Sequence, residues 1–201
     1  MILPADKTTL GLNLPTDPRW VDVAQMNLEE ILIDHAWCEQ KAAISGMSLI
    51  VQFAEREKLL EIITPIVAEE WAHFRMVLAE MKKRGIKMKP KRIDKYVAEL
   101  NKLERKGDKI ERQLMDKLLI NALIEARSAE KFKILSNHIP DQELSIFYHD
   151  LMISEAGHYR SFIDLAKEYM PSTEVEARWK EMLAAEAIII SNLGVIEGAF
   201  H

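Results

Sequence analysis

A single cysteine, Cys38, stands in the whole chain, so no internal disulfide can form and neither a cysteine-stapled scaffold nor a zinc ribbon is available. Glycine and proline are scarce, at seven each in 201 residues, which excludes a fold made of many tight turns. Aromatic residues make up only 7%, and no uncharged apolar run approaches the roughly 18 residues needed to span a bilayer, so no membrane partner is expected. The first 20 residues lack a basic start and an apolar centre and carry Pro4 and Pro15, so they do not read as a secretory signal; a cytoplasmic location is expected. No glycine-rich phosphate loop and no nucleophile elbow occurs. What the chain does have is leucine, isoleucine, alanine, glutamate and lysine, the residues that favour helices. An all-α single domain over residues 1–201 follows, with residues 1–17 as an N-terminal extension and 172–201 as a C-terminal helix and tail.

Charge is scarce in net terms, −5, but it is unevenly placed. Residues 82–112 hold 13 Lys or Arg against 5 Asp or Glu, or +8, leaving −13 for the remainder. Such a run reads either as a solvated connector or as a phosphate-binding patch on an acidic body.

Apolar periodicity and caps predict five helices. Asp17-Pro18 opens the first, which runs to about Phe53; the second covers about 57–84 and ends at Gly85. Pro65 either kinks the second helix or begins a new one capped by Thr64. A basic connection with a short helix around Val97 and Leu100 follows. Asp108 with Glu111 reads as a capping box for the third long helix, Asp141 as the cap of the fourth, and Ser172 or Thr173 as the start of a fifth that ends near Gly194. Four long helices with one long crossover between the second and third form the ferritin-like four-helix arrangement, with the last helix packed outside.

Chance placement of 6 His and 22 Glu in 201 positions gives fewer than one Glu-x-x-His, yet there are two, Glu70-Trp-Ala-His73 and Glu155-Ala-Gly-His158. Positions i and i+3 share a helix face, so each pair presents a carboxylate and an imidazole to one point. The two pairs are 85 residues apart, and a further glutamate pair, Glu39 and Glu125, is 86 apart, each upstream of its Glu-x-x-His. This weak duplication predicts two helix pairs that gather Glu39, Glu70, His73, Glu125, Glu155 and His158 as metal ligands. One glutamate from each of two helices and a Glu-x-x-His from each of two others is the donor set of di-iron and di-manganese carboxylate bundles. His35, one turn before Glu39, and Tyr148, two turns before Glu155, are candidates to hydrogen-bond these ligands. Glu69 and Glu130 are poorly phased for that centre and read as surface residues or as partners standing behind the ligands.

Four blocks carry a more specific likeness: Asp34-His-Ala-Trp-Cys-Glu39-Gln-Lys-Ala-Ala43; Glu70-Trp-Ala-His-Phe74 with Leu78 and Lys82-Lys-Arg-Gly-Ile86; Ile124-Glu-Ala-Arg-Ser-Ala-Glu-Lys-Phe132; and Phe147-Tyr148 leading to Ser154-Glu-Ala-Gly-His-Tyr159. Together, over about residues 20–170, they resemble the bacterial tRNA-modifying monooxygenases that hydroxylate the isopentenyl group of 2-methylthio-N6-isopentenyladenosine beside the anticodon. Members of that family often carry histidine where Trp37 stands, a position off the Glu39 face. The resemblance implies a di-iron centre of two iron ions, dioxygen as co-substrate, an external electron donor such as a ferredoxin or reductase, and a tRNA anticodon stem-loop as partner. It also gives the basic segment a use, with Lys82, Lys83, Arg84, Lys87, Lys89, Lys91 and Arg92 placed to contact phosphates. A ferritin- or rubrerythrin-like iron oxidase or peroxidase shares the ligands without needing the basic crossover, and a metal-free helical interaction module is the third reading.

Overall fold

The computed structural model describes residues 9–90 and 93–195. Among them are seven α-helices and no strand: α1 Arg19–Met26, α2 Leu28–Gln52, α3 Glu57–Lys83, α4 Lys95–Leu100, α5 Ile110–His138, α6 Gln142–Tyr169 and α7 Ser172–Leu193. None is long and apolar enough to cross a membrane. The first helix expected from the sequence is two. Asn27 (φ −121°) leaves helical geometry and its side-chain amide donates to the Val23 carbonyl at 2.8 Å, which closes α1 and lets α2 restart. Short turns of 3₁₀ helix, Thr9–Gly11 and Asn101–Leu103, flank the longer elements. Two compact units form, one over Asp22–Ile93 and one built mainly from Asp94–Ile196 with the segment before Asp22.

In the first unit α2 and α3 form a hairpin across residues 53–56. Pro65 lies inside α3 without ending it. Gly85 ends the helix as expected: at φ +69° it turns the chain so that the Ile86 amide reaches the Met81 carbonyl at 2.9 Å. The hairpin's close approach depends on Gly46, where a Cβ would lie 2.5 Å from Cγ2 of Val67. Gly46 is two turns from Glu39 on the same face of α2, so this approach also sets how near α2 brings Glu39 to α3. Gly46→Ala is expected to lower stability by about 1–3 kcal/mol, and Val67→Ala in the same chain to recover part of it. Thermal unfolding of the two variants beside the parent checks this; an unchanged midpoint for Gly46→Ala would mean the helices do not need the contact.

In the second unit α5 is buried on nearly every side, against α6, α7 and the segment before α1. A helix so enclosed must find partners for its polar residues. Asp116 accepts hydrogen bonds from Arg105 (backbone N 2.9 Å, Nη2 2.8 Å) and from Arg178 Nε at 2.9 Å, which ties the end of the crossover and α7 to α5. Burial works against its charge, but the two arginines outweigh it and hold its carboxyl below the usual range. Arg127, fully buried, donates through Nη2 to Glu186 at 2.7 Å, through Nη1 to Glu130 at 2.5 Å and Thr16 Oγ1 at 3.0 Å, and through Nη2 to the Leu14 carbonyl at 2.9 Å. Tyr96 of α4 donates to the same Glu186 oxygen at 3.1 Å. Glu130 is therefore an interior ion-pair partner of Arg127 and not a surface residue, whereas Glu69 is exposed, as a surface reading expects.

The expected caps fare differently. Asp141 accepts from the Glu143 and Leu144 amides and caps α6. Asp108 does not form a capping box; its side chain takes the Lys109 amide at 2.7 Å, and Lys109 becomes the residue before α5. Likewise α7 begins at Ser172 itself, after Pro171.

Candidate metal centre

The face of α2 that turns inward carries the apolar residues Ile31, Leu32, Ala36 and Ala43, all fully buried, and Glu39 falls between the two alanines, so it is carried inside with them. On α3 the same holds for Glu70 and His73, which lie between the buried Ile66 and Val77. Glu39, Glu70 and His73 retain 4%, 1% and 8% of their exposure, and each offers a donor atom within 4.8 Å of the others. Nδ1 of His73 is 3.6 Å from Glu39 Oε2 and 4.0 Å from Glu70 Oε2. Behind Glu39, His35 Nε2 stands 2.6 Å from Oε1, in a fully buried position one turn away.

The second unit repeats the arrangement. Glu125 of α5 and Glu155 and His158 of α6 are all buried, with donor atoms again within 4.8 Å of one another. His158 Nδ1 lies 3.8 Å from Glu155 Oε2. Tyr148, also on α6, is fully buried against two rings, with Phe132 at 5.5 Å and Phe147 at 5.2 Å between centroids.

Separations of 3.6–4.0 Å between imidazole nitrogen and carboxylate oxygen exceed a hydrogen bond. They suit donors that each stand about 2 Å from a shared ion. Each triad brings two carboxylates and one imidazole, whose two negative charges match one divalent cation, and oxygen with borderline nitrogen fits iron or manganese better than a thiophilic metal. The donor set thus fits the metal that the sequence implies. Four buried carboxylates with no cation nearby would be costly.

The basic residues are not equally available. Lys83 and Arg84 are held by Glu80, at 2.7 and 2.5 Å, and Lys89 by Glu29 and Glu30, at 2.8 and 2.5 Å. The hydrogen bonds that Lys89 donates to Glu29 and then Glu30 raise its pKa above the ordinary value. Trp37 donates Nε1–H to the Lys89 carbonyl at 3.0 Å, fastening the segment after α3 along α2. Lys82 and Lys87 are exposed, and among the described residues no carboxylate pairs with either. Lys91 and Arg92 lie outside the described residues.

Comparison with known proteins gives the chain its family. A protein of Pseudomonas putida named tRNA 2-(methylsulfanyl)-N(6)-isopentenyladenosine(37) hydroxylase is 37% identical over 182 residues, covering 90% of this chain and 87% of that protein. A protein of the same name from Salmonella typhimurium is 27% identical over 228 residues, covering 89% and 83%. A solved structure described as protein 43 with aldehyde deformylating oxygenase activity, from Synechococcus, matches with a TM-score of 0.85 at 35% identity, over 89% of this chain and 88% of that one. The fold is accordingly all-α and ferritin-like, as the helix order implies. A family model described as tRNA-(MS[2]IO[6]A)-hydroxylase (MiaE) matches residues 3–201, nearly the full length, and with the two relatives it establishes that the chain belongs to that family.

Proposed function

We propose that this protein is a dioxygen-dependent hydroxylase of tRNA that acts on the isopentenyl group of 2-methylthio-N6-isopentenyladenosine. The observation that carries the reading is the pair of buried triads, Glu39, Glu70 and His73 in one helix hairpin and Glu125, Glu155 and His158 in the other, within a chain of this family. The two triads are read as the halves of one dinuclear iron centre in a single domain, each holding one ion. When bound, the two irons supply reductive activation of dioxygen. The net reaction replaces one C–H bond by C–OH and releases the second oxygen atom as water. Two electrons and two protons must therefore enter, and a single cysteine offers no dithiol pair to supply them, so a ferredoxin or reductase is the expected donor.

The protein's own residues have three tasks. Glu and His donors fix the position of the metals, and His35, at 2.6 Å from Glu39, keeps that carboxylate turned to one side and holds a proton on the Nε2–Oε1 line. Apolar side chains around the triads, Ile31, Ile66 and Val77 on one hairpin and Phe162 and Leu151 on the other, exclude water. The substrate is an anticodon stem-loop whose modified base is turned out of the loop, bound in the cytoplasm where tRNA is found. An iron oxidase or peroxidase without a nucleic-acid substrate is not favoured by the family match.

Nucleosides from the tRNA of cells with and without this protein test the reading by mass spectrometry. Deletion is expected to remove the hydroxylated isopentenyl adenosine and to leave its unhydroxylated precursor in its place. Unchanged nucleosides on deletion would refute the function.

A further inference from the structure

The outward face of α3 beside the first triad has an unusual composition. Trp71 is 46% exposed, and its ring leans on Phe74 at 5.0 Å between centroids. At the helical repeat, positions 71, 75, 78 and 82 share one stripe, so Trp71 lines up with Arg75 and Lys82 over a length of about 16 Å. Next to the stripe are the exposed Ala72, Ala79 and Met76, the last 43% exposed. Between Trp71 and Lys83 the only acid is Glu80, which is buried and held by Lys83 and Arg84. Arg75 and Lys82 are both exposed and, among the described residues, neither is paired with a carboxylate. On a chain of net charge −5, an acid-free helix face with two unengaged cations and a half-exposed indole is a marked departure from the average surface.

We infer that this stripe is an RNA-binding surface, with Trp71 stacking on an unpaired base of the anticodon loop and Arg75 and Lys82, both on its C-terminal side, contacting successive phosphates along the helix. The inference rests on the tRNA reading above and adds the residues that grip the loop. Stacking on an aromatic ring is how single-stranded bases are held, because every base offers a π-face whatever its sequence. Cations at one-turn and three-turn distances from the ring then match a backbone that passes along the helix. An acidic protein would be drawn to Arg75 and Lys82 and could seat the indole as well, but a chain of this family acts on tRNA, whose anticodon loop offers both unpaired bases and phosphates, so RNA fits the face better. Apart from Lys82, the surface differs from the rest of the basic segment, where Lys83, Arg84 and Lys89 are already occupied by carboxylates of the same chain.

The test uses the full-length, iron-loaded protein and a synthetic anticodon stem-loop RNA carrying 2-methylthio-N6-isopentenyladenosine, with binding read by fluorescence anisotropy over a series of salt concentrations. Trp71→Ala is expected to weaken binding about tenfold or more, and Trp71→Phe to restore most of it, since a ring is retained. Arg75→Gln with Lys82→Gln is expected to lower the slope of log K against log salt by about 1.5 and to raise KM while leaving kcat at saturating RNA unchanged. Circular dichroism on each variant confirms that α3 is intact. If the parent binds the RNA and all these variants bind it equally well, the stripe is not the contact surface although the tRNA reading survives. If the parent itself does not bind, the tRNA reading fails first. Variants that bind RNA normally but accept electrons more slowly from a reduced ferredoxin would assign the face to the electron donor and overturn the inference.

Discussion

Replacing Glu155 with alanine is expected to make the metal-free protein more stable while it cuts bound iron to half or less and tRNA hydroxylation by about 100-fold or more. The opposite signs follow from burial. Glu155 and Glu125 retain 2% and 4% of their exposure and have donor atoms within 4.8 Å of one another, so without a cation they repel in a medium that solvates them poorly. Removing one relieves that repulsion. In the proposed centre the same carboxylate is an iron ligand, and its loss would remove metal affinity that otherwise stabilises the fold by mass action. His73→Ala serves as the contrast, because an imidazole adds no negative charge: it is expected to lose iron without the gain in metal-free stability. Thermal unfolding with and without ferrous ion, elemental analysis and nucleoside mass spectrometry read the three quantities separately. A Glu155→Ala protein that keeps two irons and full turnover would remove Glu155 from the ligand set.

Much of the site is legible in the sequence because its signal is periodic and repeated. Glu-x-x-His puts two donors on one helix face, and the interval of 85 residues between the copies marks them as related, so all six candidate ligands can be named before any coordinates. The helices are legible for a similar reason, since an apolar stripe at a 3.6-residue period needs only local order. What escapes is what depends on contacts distant in the chain. The break at Asn27 comes from a side-chain amide that reaches back to Val23 within an otherwise continuous apolar pattern, and the pattern alone does not show it. The acids that occupy Lys89, Glu29 and Glu30, are some 60 residues away, so a count of charges in the basic segment overstates what is free to bind. Glu130 is misread when its phase is compared with the triad, because its partners are Arg127, three residues earlier, and Thr16, 114 residues away. One signal is present: an arginine and a glutamate at i and i+3 in a helix apolar on nearly all sides must pair or be expelled.

That buried arginine carries the largest expected effect on stability. Arg127 satisfies Glu130, Glu186, Thr16 and the Leu14 carbonyl at once, and so fastens α7 and the segment before α1 onto α5. Arg127→Met keeps much of the volume but leaves two buried carboxylates without their cation, and it is expected to lower stability at neutral pH by about 3–5 kcal/mol. Adding Glu186→Leu should recover a large share, because the remaining uncompensated charge is then one instead of two. The loss is also expected to depend on pH, with a sign that follows from Glu186. Burial raises its pKa above the usual carboxylate value, and Arg127 is the largest influence opposing that rise. A carboxyl with a raised folded pKa binds its proton more tightly in the native state, so its contribution is most favourable below its unfolded pKa and is lost as pH rises through the folded one. Without Arg127 the folded pKa climbs further and that window widens upward. The difference between Arg127→Met and the parent is therefore expected to be largest at about pH 8 and to shrink toward about pH 5. Urea unfolding of metal-free parent, single and double variants at both pH values measures it. A loss below about 1 kcal/mol at about pH 8, where the effect is expected to be largest, would mean that the network leaves α7 and the N-terminal segment held by apolar packing alone.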